Sequence, residues 1–155
     1  MSWHNVDDEF NEFAAAQIDE ADTLLFGRKT YEGMAEFWRS PVALEVGAGM
    51  SERMNRYFKI VVSRRLASAQ WTPSILIGDD APGQLLKLRE QPGKDIILLG
   101  SSSLAASLLD GGVLDELRIM VNPVLLGTGD TALAGARRSN LELAQVRQFA
   151  SGMCC

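Results

Sequence analysis

Three short stretches combine residue types that bind anions. Gly27-Arg28-Lys29-Thr30 places a glycine, which permits close approach, ahead of a forked guanidinium and a hydroxyl. Ser63-Arg64-Arg65 follows a hydroxyl with two guanidinium groups, a set suited to a dianionic phosphate such as the 2′-phosphate of NADP. Gly100-Ser101-Ser102-Ser103 sets hydroxyls and backbone N–H groups before the apolar run at Leu104, and unpaired N–H groups at a helix start can hold a pyrophosphate. Each stretch has a plainer alternative: a helix cap with solvated charges, a solvated turn, or a serine cap with no ligand. Acidic candidates are fewer. Asp7, Asp8 and Glu9 open a helical pattern, where the helix dipole alone favours negative charge. Trp3 stands outside any periodic run and is the aromatic placed to face a pocket, whereas Tyr31, Phe37 and Trp38 fall on helical spacing and read as core. His4 reads as an exposed side chain.

The elements that must position these residues are short and regular. Apolar residues at three- and four-residue steps predict a helix over 7–20, and a strand over 23–26 ends at Gly27. A second helix starts near Thr30 and stops before Pro41; a third, over 44–56, is weakened by Gly47 and Gly49. β-branched or continuous apolar runs predict strands over 59–63, 74–78 and 95–100. Pro82 fits the first turn of a helix closed by Pro92-Gly93, and the helix after Ser103 ends at Gly111-Gly112. Residues 117–121 and 124–126 read as one strand interrupted near Pro123, and 141–149 as a last strand. Strands that are apolar on both faces and alternate with helices indicate a mixed, mostly parallel sheet with helices on both faces. The consecutive last strands give it an antiparallel C-terminal edge. The three anion-competent turns each end a different strand, so they fall on one rim, where such sheets bind ligands. No G-x-G-x-x-G dinucleotide fingerprint is present.

With 155 residues, 46% of them hydrophobic, the chain has the size and composition of one α/β domain with a core of its own. Twenty acidic against 15 basic residues give a net charge of −5, against a nucleic-acid surface but compatible with one anionic cofactor held by two or three arginines. A single histidine excludes most His-based metal sites and disfavours a Ser-His-Asp triad. No apolar run is long enough to cross a bilayer and no signal pattern opens the chain, so the expected location is cytoplasmic, with no membrane partner. Cys154 and Cys155 are adjacent and terminal, and read as free thiols at a frayed end in a reducing compartment.

Residues 21–32, ADTLLFGRKTYE, together with KIVVSR at 59–64, resemble the cofactor strands of dihydrofolate reductase-like proteins. LLGSSSL at 98–104 and LDELRIMVNPVLLGTG at 114–129 are similar to the branch that holds the reductase domain of riboflavin biosynthesis. The resemblance spans almost the whole chain and implies a three-layer, NADPH-dependent reductase fold, 5-amino-6-(5-phosphoribosylamino)uracil reductase among its members, with a small-molecule substrate and a homodimeric assembly. It implies that Gly27, Arg28 and Thr30 meet the cofactor phosphates, Ser63 and Arg64 the adenosine 2′-phosphate, and Gly100, Ser101, Ser102 and Leu104 the pyrophosphate. Many relatives carry a second glycine where Ser101 stands. Trp3 and Asp8 match by spacing a substrate-side tryptophan and carboxylate. Relatives begin with a central strand and a loop that commonly contains Ser-Leu-Asp-Gly, and end in a further apolar strand; the resemblance therefore implies a domain over 1–155 shortened at both ends. Two alternatives follow: a non-catalytic nucleotide-binding remnant without a substrate wall, or a chain that exchanges strands with a partner.

Overall fold

Asp7 starts the first helix: its carboxylate accepts the Phe10 N–H at 2.8 Å and caps α1 (Asp8–Glu20). The computed structural model describes residues 6–155, the side chain of residue 46 excepted. α1 runs straight into β1 (Ala21–Gly27), and Gly27 in turn opens α2 (Arg28–Trp38). α3 (Pro41–Arg56) begins at a proline, whose fixed φ suits a first helical turn. At Gly47 (φ −179°, ψ 82°) the backbone leaves the helix and α3 kinks. β2 (Phe58–Val62), β3 (Ser74–Ile77), α4 (Ala81–Arg89), β4 (Asp95–Leu98) and α5 (Ser102–Asp110) complete the regular elements.

The four strands pair in the order β3-β2-β1-β4, and every pair is parallel. Alternation along β1 divides the core. Leu24 and Phe26 join Ile18, Tyr31, Met54 and Trp71 on one face, while Leu25 joins Ile60, Leu85 and Leu108 on the other. Helices α1, α2 and α3 thus cover one face and α4 and α5 the other, the expected three layers. Leu24 and Phe26 are wholly buried, each contributing about 1.5–3 kcal/mol relative to exposure.

The antiparallel C-terminal edge takes a reduced form. Residues 117–121, 124–126 and 141–149, expected as strands, form no ladder and keep only isolated antiparallel bridges, Val121 to Cys154 and Gln148 to Cys154. A strand needs a neighbour on which to spend its backbone groups. Here residues 114–120 line a cavity of about 1200 Å³ together with β4, and among the described residues no backbone hydrogen bond crosses it. The terminus, by contrast, is not frayed. Val121 and Cys154 exchange two backbone hydrogen bonds, as do Arg147 and Cys155, and Met153 is fully buried. Both cysteines are free and half-buried, and burial pushes the Cys155 thiol up from its ordinary pKa.

Candidate anion-binding rim at the switch point of the sheet

Because all four strands run in parallel, Gly27, Ser63 and Gly100 lie on one edge of the sheet. β1 leads to β2 on one side, whereas β4 adds on the other, so the strand order reverses between β1 and β4. Ligands of open α/β sheets bind outside the carboxyl ends of the strands at such a reversal.

Ser101 joins the two turns that meet there. Its hydroxyl accepts the Gly27 N–H at 2.9 Å and donates to Thr30 Oγ1 at 2.7 Å. The approach is close enough that a Cβ on Gly27 would sit 2.9 Å from the Ser101 oxygen, so the strand-to-helix turn requires glycine for space. Gly100 (φ 62°) and Ser101 (φ 58°, ψ 59°) are both left-handed. Serine pays there for a conformation that glycine adopts freely, and the two hydrogen bonds over-determine it.

Of the five helix starts described, those of α1 and α4 have a side-chain cap and those of α2, α3 and α5 do not. Asp7 caps α1, and Asp80 caps α4 by accepting the Gly83 N–H. Neither Gly27 at the start of α2 nor Ser101 at the start of α5 supplies a side-chain cap. The backbone N–H groups of Arg28, Lys29 and Thr30, and of Ser102, Ser103 and Leu104, are left as donors at two adjacent helix starts. The first turn of α2 holds Arg28 and Lys29 and no acid, which is the electrostatically unfavourable end for cations. Arg28 pairs with Glu32 at 2.7 Å across an exposed i,i+4 step, a contact weak enough to yield to a better anion. The Ser102 hydroxyl accepts the Leu133 N–H at 2.8 Å, tying the loop over α5 to the rim.

The third turn follows β2. Ser63 N–H continues the ladder to Ile77 at 2.9 Å, while its hydroxyl accepts the N–H groups of Arg65 and Leu66, both at 3.1 Å. That bend exposes Arg64 and Arg65, and neither has an ion-pair partner among the described residues. The loop from this bend to β3 is anchored by a residue that periodicity did not single out. Trp71 is buried, receives the Tyr31 hydroxyl as acceptor for its backbone N–H (2.6 Å), and donates its indole N–H to Asn55 at 2.8 Å. Its signal in the sequence was faint: a tryptophan two residues before Pro73, in a stretch with no period.

The structure therefore brings Gly27, Thr30, Gly100 and Ser101 into direct contact, puts Arg28, Ser102 and Leu104 at the same two helix starts, and sets Ser63 and Arg64 further along the rim. Asp8 is exposed in the first turn of α1 and makes no hydrogen bond or ion pair with these residues. Trp3, like His4, lies outside the described residues.

A four-stranded parallel sheet with helices on both faces defines a three-layer α/β domain. The family model of the RibD C-terminal domain matches residues 2–155, and the chain belongs to that family. It is 29% identical over 137 residues to the uncharacterized protein YyaP of Bacillus subtilis (strain 168), covering 88% of this chain and 72% of that one. In fold it is similar to a Shewanella sp. PV-4 protein named for riboflavin biosynthesis, with a TM-score of 0.69 and 17% identity over 97% of this chain and 78% of the other.

Proposed function

We propose that this chain is an NADPH-dependent reductase that passes hydride to a small heterocyclic or carbonyl substrate, of the kind that reduces 5-amino-6-(5-phosphoribosylamino)uracil in riboflavin synthesis. The observation that carries the reading is the pair of uncapped helix starts at the switch point, one of them loaded with Arg28 and Lys29. Two cations and six N–H donors without acceptors fit a pyrophosphate. In this reading the N–H groups from Ser102 to Leu104 and the Gly100-Ser101 turn hold it, with Gly27, Arg28 and Thr30 opposite. Ser63 and Arg64 take the 2′-phosphate. NADPH, when bound, supplies the hydride; the protein orients the nicotinamide against the acceptor and keeps water from the site. Trp3 and Asp8 belong to the substrate side of the same reading.

Calorimetric titration tests it. NADPH should bind more tightly than NADH, and Arg64→Ala should remove about ten- to a hundredfold of that preference, the worth of a charge-assisted hydrogen bond. No binding at millimolar NADPH would sink the reading. A non-catalytic nucleotide-binding domain is the second reading, favoured by the open flank of β4 beside the switch point; NADPH binding with no oxidation in the presence of dihydrofolate or pyrimidine acceptors would select it. No helix among the described residues is long and apolar enough to cross a membrane. A cytoplasmic homodimer completes the proposal, and sedimentation of the purified chain would reveal the dimer.

A further inference from the structure

We propose that Tyr31 and Trp71 are positioning residues: they hold the Ser63-Arg64 bend at a set distance from the start of α2, so that the rim selects a dinucleotide with a 2′-phosphate, a role that rests on the rim binding NADPH. Residues 63–73 join β2 to β3 without a helix or strand of their own. A connection of this kind presents a charge at a defined place only if something else fixes its backbone, because every unfixed residue must be ordered when the ligand binds. Arg64 and Arg65 are exposed, whereas Leu66, Ala69 and Trp71 turn back to the part of the core that Phe26 and Tyr31 occupy. The Ala69 carbonyl accepts the Ser74 hydroxyl at 3.0 Å, and the Pro73 carbonyl accepts the Lys59 N–H at 3.0 Å, which returns the chain to the ladder.

Trp71 is the buried anchor of this loop. Its ring centre lies 6.0 Å from those of both Phe26 and Tyr31, with the Lys59 ammonium at 4.5 Å. Ring packing of this type tolerates sliding, whereas hydrogen bonds have direction. Two of them aim the residue: the Tyr31 hydroxyl accepts its main-chain N–H at 2.6 Å, and Asn55 Oδ1 accepts its indole N–H at 2.8 Å. Asn55 is itself fixed, since its Nδ2 donates to the Trp38 and Ser51 carbonyls, both at 2.8 Å.

Tyr31 follows Thr30 in the first turns of α2, the helix that begins at Arg28. One short helical segment therefore offers Arg28 and its N–H donors to the rim and, from its buried face, holds the loop that carries Arg64. The span between the two anion-binding stations is set inside the protein. A ligand with anionic groups at the matching spacing engages both without ordering the loop. NADH lacks the second anionic group and gains nothing from where the loop stands, so loss of the tether should divide the two cofactors.

The experiment measures Kd for NADPH and for NADH by calorimetry on the native chain, Tyr31→Phe and Trp71→Phe. Tyr31→Phe keeps the ring and removes the acceptor of the Trp71 N–H. Trp71→Phe keeps an apolar ring, removes the donor to Asn55, and carries the same expectation should the first variant not fold. Each should weaken NADPH by about three- to tenfold and leave NADH within about twofold. A merely structural role would weaken both cofactors together. Equal weakening of the two, or an unchanged preference in either folded variant, would overturn the proposal and leave the cofactor reading standing. A native chain that binds no NADPH, or binds it no better than NADH, would overturn both.

Discussion

One hydroxyl, that of Ser101, holds two strand ends at a fixed distance. Ser101→Ala keeps the left-handed backbone and loses both hydrogen bonds, so it should cost about 1–2 kcal/mol in urea unfolding and loosen the approach of the two helix starts. Ser101→Gly relieves the backbone instead and should be the milder change. Equal losses from the two would show that the hydroxyl does not hold the turn. Lys59 poses a different problem: it is fully buried, its Nζ donates to the carbonyls of Tyr57 (2.6 Å) and Asn55 (3.1 Å), and it lies 4.5 Å from the Trp71 ring centre. Among the described residues no carboxylate pairs with it, and burial pushes the Lys59 pKa down to about 8. Below pH 8 folded and unfolded chains are both protonated at this site; between pH 8 and the ordinary lysine value only the unfolded chain stays protonated, so stability rises with pH. The stability of the native protein relative to Lys59→Met should increase by roughly 1–3 kcal/mol from pH 7.5 to pH 10, measured by denaturant midpoints. A flat difference would place the ammonium in contact with water.

At the scale of elements, periodicity and turn chemistry located the strands and helices that carry the rim, since Gly27, Pro41, Gly100 and Gly111 punctuate them locally. The missing caps on α2 and α5 could not be read, because serine and glycine before a helix look like ordinary caps until their side-chain partners are known. Long-range partners were equally hidden. Arg53 holds the Asp19 carboxylate through two 2.7 Å hydrogen bonds, and Tyr57 adds a third at 3.1 Å, clamping the end of α1 to α3 from 34 to 38 residues away. The Arg53 hydrogen bonds lower the Asp19 pKa to about 2. A carboxylate depressed in this way stabilises the fold above its ordinary pKa near 4 and ceases to do so as pH falls through 2. The stability advantage of the native chain over Asp19→Asn should therefore be constant above pH 4 and decline from pH 4 to pH 2 in thermal melts. An advantage that persists unchanged at pH 2 would remove the clamp as its cause.

For the whole molecule, the sequence pattern succeeds where a strand has its neighbour and fails where the neighbour is lacking. Residues 95–98 are a strand because β1 lies beside them; residues 117–121 have comparable β propensity, but the cavity lies on the side where a partner would stand, and they remain irregular. The exposed apolar side chains follow the same division: Ile119, Val121, Leu125, Leu141, Leu143 and Val146 are all more than half exposed, Leu125 fully, while Leu24, Phe26 and Val61 in the sheet are fully buried. Stability must then be uneven along the chain, since segments with few buried apolar contacts open locally at little cost. Amides of residues 122–146, apart from the hydrogen-bonded Leu133 and Arg137, should exchange near the rate of an unstructured chain, and those of β1 and β2 only through global unfolding. Val121, Arg147, Phe149, Cys154 and Cys155 should fall between, because their paired backbones are anchored by buried Met153. Limited proteolysis should cut first within residues 122–146 and leave the sheet intact. Protection of 122–146 equal to that of β1 would mean that these residues have found a partner in solution, and a simultaneous loss of exchange at Ile96 and Leu98 would identify the edge of β4 as part of it.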